Sequence, residues 1–503
     1  MYASIPSAVV VGVDGRPVSV EVHVGRGLPG LTIVGLPDAS CREARDRVRA
    51  AVLASQLSWP DRKITVNLAP SSTRKVGSGL DLAIAIGVLA AAEEVPARAV
   101  ADLGFLGELG LDGTVRAVAG TVPLVDAVAA PQVVVPVASA ADAALVDGRT
   151  IRAVRTLSEL VAALRADAPW PDHDLPHPAA EEPPPPDLAD VRGQPVVRAA
   201  LEIAAAGGHH LLMVGPPGAG KTMLAERLPG LLPPLARDEA MTVSRIHSAA
   251  GRKLSGGLIR RPPFRAPHHT ATLTSLVGGG SDAMRPGEVS LASGGVLFLD
   301  ELSEFAPSSL DALRQPLEDG TIRVRRARFA ADLPARFLLV AAMNPCPCGE
   351  AGRPGACSCP DGALARYQRR LSGPLLDRFD LRVDVHRPIV DDLLGGEPGE
   401  PTSAVAARVR AVRARAQRRG VRCNAELRNA ALDRHAAIDP SAEPLLRSAL
   451  ETGRLTARGL DRVRRVARTV ADLAGDEGDL AVAHISAALQ LRAEVRLGAG
   501  VVA

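Results

Sequence analysis

Apolar and polar positions change rhythm three times along the chain. Between residues 1 and 165, strand-like runs (SAVVVGV, VSVEVHV, LTIVGL, KITVNLAP) mix with helical ones. GLDLAIAIGVLAAA predicts an apolar helix ahead of a strand pattern in LGFLGEL and a turn at LDGT. Residues 168–187 are Pro-rich and acidic, cannot build a packed core, and predict an extended linker over 166–187. From 188 to 392 apolar strands alternate with helices, the signature of a parallel α/β sheet. Beyond 393, after the break GGEPGEPTS, apolar residues at helical spacing (Val405, Val409, Val412) predict an all-helical segment to 503. The expected fold class is α/β multidomain: an α+β N-terminal domain (1–165), the linker, a three-layer α/β core (188–392) and a helical C-terminal lid (393–503). No solenoid-type repeat is present.

Composition narrows the class. A length of 503 residues exceeds one core, so two to four domains are expected. Apolar content of 47% with 23% charged residues describes a soluble globular protein. No run of uncharged apolar residues is long enough to predict a membrane span. The N-terminus lacks a secretory pattern, and a cytoplasmic location is expected. A net charge of +3 argues neither for nor against a polyanion partner. The only lysines are Lys63, Lys75, Lys221 and Lys253, and heavy Ala, Arg, Gly and Pro usage reflects a GC-rich genome, so arginine in place of lysine carries little functional weight. Six cysteines read as thiols or metal ligands before disulfides.

Three strands of the central segment end in chemistry. HHLLMVGPPGAGKTMLAERL sets an apolar strand, a Gly-rich loop and an amphipathic helix in the order that cradles a triphosphate. With Gly215, Gly218 and Gly220 spaced around Pro216, Pro217 and Ala219, backbone N–H groups converge on phosphate oxygens at a helix N-terminus. Lys221 would reach the β/γ phosphates and Thr222 would hold Mg²⁺, so ATP and Mg²⁺ are the expected cofactors. GGVLFLDEL ends in two carboxylates: Asp300 to coordinate Mg²⁺ through water, Glu301 to orient and polarise the attacking water. ARFLLVAAMNP ends in Asn344, placed for the γ-phosphate or the lytic water. SGPLLDRFDLRV predicts Arg378 on a short helix entering a further strand. In a ring such an arginine can cross to a neighbour's γ-phosphate; its alternative is a local ion pair with Asp377 or Asp380. LTARGLDRVRRVARTVADL offers Arg458 as a second cation over the nucleotide, with Arg462, one turn later on the same face, as its rival.

CPCGEAGRPGACSC contains Cys346, Cys348, Cys357 and Cys359. Two Cys-x-Cys pairs could close four thiolates on a structural Zn²⁺; the spacing is tighter than the usual Cys-x-x-Cys, which leaves reduced or oxidatively paired thiols as alternatives. Cys41 and Cys423 stand alone. Two inserts extend the core. RIHSAAGRKLSGGLIRRPPFRAPHHTATLTSLVGGGSDAMRPGE carries Arg252, Lys253, Arg260, Arg261 and Arg265 and suits a mobile loop near a pore. Its His268 and His269 read as loop-stabilising hydrogen-bonding groups, with ligand or DNA contact as the alternative. GTIRVRRARFAADLPARF predicts a hairpin bearing Arg323, Arg325, Arg326 and Arg328. Six such hairpins would line a basic channel for DNA, held by phosphate contacts; the alternative is a solvated Arg-rich strand. Aromatics form only 2% of the chain, so base stacking is not the expected grip.

Together these motifs resemble those of AAA+ ATPases, and their wording is similar to the magnesium-chelatase-like ATPases of the ComM/YifB family: TIVGLPDAS (32–40), KITVNLAP (63–70), PFRAPHHT (263–270), GEVSLASGGVLFLDEL (287–302), LRQPLEDG (313–320), NPCPCG (344–349) and GPLLDRFD (373–380). The resemblance spans nearly the whole chain. It implies a homohexameric ring motor, with branched or single-stranded DNA as partner; family members are implicated in DNA branch migration during natural transformation. Magnesium chelatase itself instead spends ATP on inserting Mg²⁺ into a porphyrin. KVGSGLDLAIAIGVLAAA followed by GELGLDGTVRAVAGTV is similar to the proteolytic domain of Lon proteases, which needs a Ser nucleophile in a Gly-Pro-Ser-Ala-Gly turn and a Lys after a Gly pair. Here the turn reads Gly77-Ser78-Gly79-Leu80-Asp81, Val122 stands at the Lys position and Ala119 replaces the first Gly. Without that lysine Ser78 has no activator, which implies a degenerate protease fold serving structure or assembly. A DNA-remodelling motor is therefore the leading expectation, a chelatase-type motor on a partner protein the second, and an ATP-dependent protease the third.

Overall fold

The computed structural model describes all residues except 73, 174–182, 255–256, 281–283, 327–328, 352–355, 371–372, 396, 493–494, 498–499 and 503. The centre of the expected linker, Arg328 and the side chain of Arg326 thus lie outside the described residues.

Two long strands, Tyr2–Val11 and Asp14–Gly25, pair antiparallel from Tyr2↔His23 to Val11↔Asp14, and Lys63–Ala69 and Gly30–Val34 extend them into a four-stranded sheet. Val18, Val20, Val22 and Val24 alternate inward. They face the helix Asp81–Ala91, whose residues are all buried; that is why its sequence is apolar on every side. Gly87 is required there, since a Cβ would lie 2.6 Å from Val22 Cγ2. The helix's one charge, Asp81, is paired with Arg47 at 2.7 Å. LGFLGEL is not one strand: Gly107, at φ +152°, separates Leu103–Phe105 from Glu108–Leu109, which join different sheets.

The second half is built on five parallel strands in the order Phe264–Arg265, Val296–Leu299, Leu338–Met343, Leu211–Val214, Leu381–Asp384. Helices cover the sheet, so its middle strands are apolar without alternation, and LLMV, VLFL and LLVAAM are buried throughout. Phe264–Arg265, inside the first insert, forms the sheet edge, so that insert is not wholly a loop. On one face the helices Pro195–Gly207, Thr402–Arg418 and Ala457–Ala474 share a single core with the sheet, Val405, Val409 and Val412 included. The C-terminal helices therefore have no separate core.

Two further expectations fail locally. The single amphipathic helix after the Gly-rich loop is broken into Lys221–Ala225 and Leu228–Leu231, because Pro229 has no N–H to continue the ladder and its ring crowds the carbonyl four residues back. The C-terminal segment is not all helical: Val495–Leu497 and Gly500–Val502 pair antiparallel.

The two halves dock through Thr121–Ala127 and Arg237–Ala249. Gly120 N–H donates to the Ser248 carbonyl at 2.8 Å, Val122 N–H donates to Ser248 Oγ at 3.2 Å, and Arg245 and Arg237 pair with Asp126 and Asp147. Val122, standing where a catalytic lysine would be sought, is fully buried beside this joint. At the tip of the first hairpin, Val13 is buried among core residues of the second half.

Candidate nucleotide-binding site

The strand Leu211–Val214 delivers the chain to the loop 215–220, where the backbone must bend twice into the left-handed region, at Gly218 (φ +76°) and Gly220 (φ +85°). Gly215 is pressed against the residue just beyond the strand Leu381–Asp384: a Cβ would lie 2.1 Å from the Val385 carbonyl oxygen. The loop and its neighbours enclose a cleft of about 460 Å³, lined by Pro217 to Met223 with Asp300, Glu301, Met343 and Asn344. Lys221 Nζ donates to the Gly215 carbonyl at 2.6 Å, the Pro216 carbonyl at 3.1 Å and Asn344 Oδ1 at 3.1 Å. Burial lowers the pKa of this ammonium, and Asp300 and Glu301 partly restore it. Thr222 Oγ1 donates to Asp300 Oδ2 at 2.7 Å, and the other Asp300 oxygen accepts Glu301 N–H at 2.9 Å. Three strand ends thus bring one cation, one hydroxyl, two carboxylates and an amide to one cleft.

The arginines are elsewhere. Arg378 lies two residues beyond the helix Gly373–Leu376, not on it, and lines no part of the cleft. Its guanidinium donates to the Pro374 carbonyl at 2.5 Å and pairs with Glu318, so neither Asp377 nor Asp380 is its partner. Asp380 instead pairs with Arg462 at 2.5 Å, and Arg462 also donates to the Arg378 carbonyl at 3.1 Å. Arg458 is exposed and makes no ion pair among the described residues. In the second hairpin, formed by Thr321–Arg326 and Phe329–Pro334, Arg323 pairs with Asp319 and Arg325 with Asp332, all four exposed. Beside the cleft, the sulfurs of Cys346, Cys348, Cys357 and Cys359 all lie within 4.8 Å of one another. Burial pushes the Cys346 thiol up to about 12, while the Glu350 backbone N–H draws Cys348 down to about 6.

This arrangement agrees with what the chain is similar to. Models described as magnesium chelatase, subunit ChlI, match residues 187–417, the subunit ChlI of Mg-chelatase model matches 20–139, and the ChlI C-terminal model matches 399–492. An uncharacterized protein of Mycobacterium tuberculosis is 48% identical over 500 residues, 97% of either chain. YifB of Escherichia coli is 42% identical over 492 residues, covering 97% of this chain and 96% of its own. The competence protein ComM of Haemophilus influenzae is 40% identical over 513 residues, 98% of either chain. The chain belongs to the magnesium-chelatase-like ComM/YifB family. Its members are AAA+ ATPases, and the parallel sheet with its flanking helices is the α/β core of that class. Among the described residues of this ComM/YifB-family chain, no helix is long and apolar enough to cross a membrane.

Two groups at the cleft of this family member escape a reading of motifs. His269 Nδ1 lies 3.1 Å from Glu301 Oε2, and its ring lies tilted against His268 at 4.1 Å between centroids. His268 Nδ1 bonds Thr270 Oγ1 at 2.8 Å, so only His268 has the local loop role expected of both. Gln194, at φ +55° ahead of Pro195, donates from Nε2 to the Ala219 carbonyl at 2.9 Å and braces the loop from behind. The pair His268-His269 was a visible signal; Gln194 had only the Gly-Gln-Pro punctuation around it.

Proposed function

We propose that the chain is an ATP-hydrolysing subunit of a homohexameric ring that remodels DNA. The observation that carries the ATPase reading is the convergence of Lys221, Thr222, Asp300, Glu301 and Asn344 on one cleft. Lys221 neutralises the β/γ phosphates, Glu301 orients the attacking water, and Asn344 holds the γ-phosphate side. Thr222 and Asp300, already hydrogen-bonded to each other, would hold Mg²⁺, which supplies charge neutralisation at the phosphates. Arg378 acts on the neighbouring subunit's nucleotide, exchanging Glu318 for phosphate, and Arg458 reaches over the nucleotide of its own subunit. Arg462, occupied by Asp380, is a strut and not a sensor.

The N-terminal half is a degenerate Lon-like domain kept for assembly. Ser78 Oγ donates to Glu108, a carboxylate and not the lysine that the Lon-type site uses, and the Val122 segment is spent on docking. The four cysteines hold a structural Zn²⁺; four protein ligands leave no open position for catalysis. DNA is gripped by phosphate contacts, the exposed and weakly held pairs of Arg323 and Arg325 opening to receive them. The family's competence-protein member, ComM, supports this reading.

The deciding measurement is ATPase rate with and without three- and four-way junction DNA at low salt. We expect stimulation that declines steeply between roughly 50 and 200 mM salt, and no nucleotide binding by Lys221→Ala. Hydrolysis indifferent to any junction would favour a chelatase-type motor on a partner protein instead.

A further inference from the structure

We propose that the four-cysteine cluster, with a zinc-class metal bound, controls how tightly the phosphate loop holds nucleotide. This rests on the reading above, that the thiols bind metal and the cleft binds ATP.

The sulfur geometry fits the metal. Cys346–Cys348, Cys348–Cys357 and Cys357–Cys346 separations are 3.3, 3.7 and 3.8 Å. A tetrahedron of thiolates around zinc at about 2.3 Å has edges of about 3.8 Å. All four thiols are free, so no disulfide accounts for their approach. Beyond the turn closed by Gly349 N–H on the Cys346 carbonyl, the described residues between Cys346 and Cys359 form no helix or strand. Four like-charged thiolates drawn together repel one another, and a divalent cation converts that repulsion into the force that orders the loop.

The same loop supports the nucleotide cleft on two sides. On the first, Cys346 follows Asn344 by two residues, and Asn344 Oδ1 accepts from Lys221 Nζ at 3.1 Å. On the second, Gly349 stands at φ +81° against the phosphate loop, where a Cβ would lie 2.4 Å from Pro217 Cδ. Arg387 links the two loops again, donating to Glu350 at 2.7 Å and to the Pro217 carbonyl at 3.4 Å. Lys221 and Pro217 are thus both braced by groups whose positions depend on the sulfur cluster. Metal binding pre-orders the cleft, and linkage makes the effect reciprocal: nucleotide must raise metal affinity by the factor by which metal raises nucleotide affinity.

The test uses the full chain, metal-loaded and chelator-stripped, with metal content by elemental analysis, Co²⁺ substitution read by its thiolate charge-transfer absorption, and titration with a fluorescent ATP analogue. One metal per chain is expected, with nucleotide affinity falling roughly tenfold on stripping and returning with Zn²⁺. Substoichiometric metal with four free or disulfide-paired thiols would overturn the metal reading and the coupling together. Stoichiometric metal with equal nucleotide affinity in both forms would overturn the coupling alone. Should stripping unfold the chain, Gly349→Ala decides: it keeps every thiol and crowds Pro217. Full metal with weakened nucleotide binding supports the coupling, and unchanged nucleotide binding overturns it.

Discussion

Glu301 stands at φ +51° and ψ +49°, a left-handed conformation unusual for a residue with a long side chain. Such a residue costs on the order of 1–3 kcal/mol and persists only where its surroundings determine it. Here one determinant is the Asp300 carboxylate, which accepts its N–H, and another is His269, which meets its carboxylate at 3.1 Å. His269 is itself held by the tilted ring contact with His268 and an edge contact to Phe305 at 6.5 Å between centroids. Removing the imidazole frees the carboxylate to rotate away from the water it is proposed to polarise. His269→Ala should therefore lower kcat by roughly 10- to 100-fold with little change in KM. His269→Asn, which restores a donor, should recover part of the loss. A wild-type kcat in His269→Ala would remove the histidine from the mechanism.

At the scale of elements, the joint between the last sheet strand and the helix Ala457–Ala474 is a knot around Asp380. Its carboxylate accepts His210 N–H at 3.1 Å and pairs with Arg462. Burial alone would raise this carboxyl, but Arg462 and His209 outweigh it and hold it below the usual carboxylate range. His210 is the complementary case. Burial pushes its imidazole from 6.5 down to about 4, and its Nδ1 accepts Leu339 N–H at 3.0 Å, which requires the neutral ring. The depressed value fixes the sign: stability is fully present above about 6.5 and is lost as pH falls toward about 4, because there the unfolded chain binds the proton that the folded one refuses. Urea unfolding at pH 7 and pH 5 should show this loss, and His210→Asn, whose amide oxygen can take the same N–H, should show a shallower one. Equal slopes would remove His210 as the titrating group. The knot also marks where sequence reading stops. Local patterns were legible, because a Gly-rich loop or paired Cys-x-Cys acts within a few residues. Partner choice was not: the local alternative for Arg378 was an ion pair with Asp377 or Asp380, yet within the chain it takes Glu318, and Asp380 takes Arg462 from a distant helix. Helical spacing put Arg458 and Arg462 on one face, and only the tertiary fold separates the half-buried one, paired with Asp380, from the exposed one.

In the whole molecule, Lys221 is the one cation lining the cleft among the described residues, and Arg378 lines no part of it and pairs with Glu318. A residue so placed serves catalysis only across a subunit boundary, which a ring of head-to-tail contacts supplies. The N-terminal part meets the helix Arg237–Ala249, where Val122 N–H donates to Ser248 Oγ and Asp126 pairs with Arg245. Sharing of sites has a signature that no single variant shows. Arg378→Ala should bind nucleotide normally yet hydrolyse it roughly a thousandfold more slowly or worse, and Lys221→Ala should not bind it at all. Each is defective in a different half of the site. Mixed one to one, a subunit with an intact phosphate loop will meet a neighbour with an intact arginine at about a quarter of interfaces, so turnover should reappear well above either parent. If mixed assemblies form and remain as inactive as their components, Arg378 works within its own subunit or not at all, and the shared-site ring must be given up.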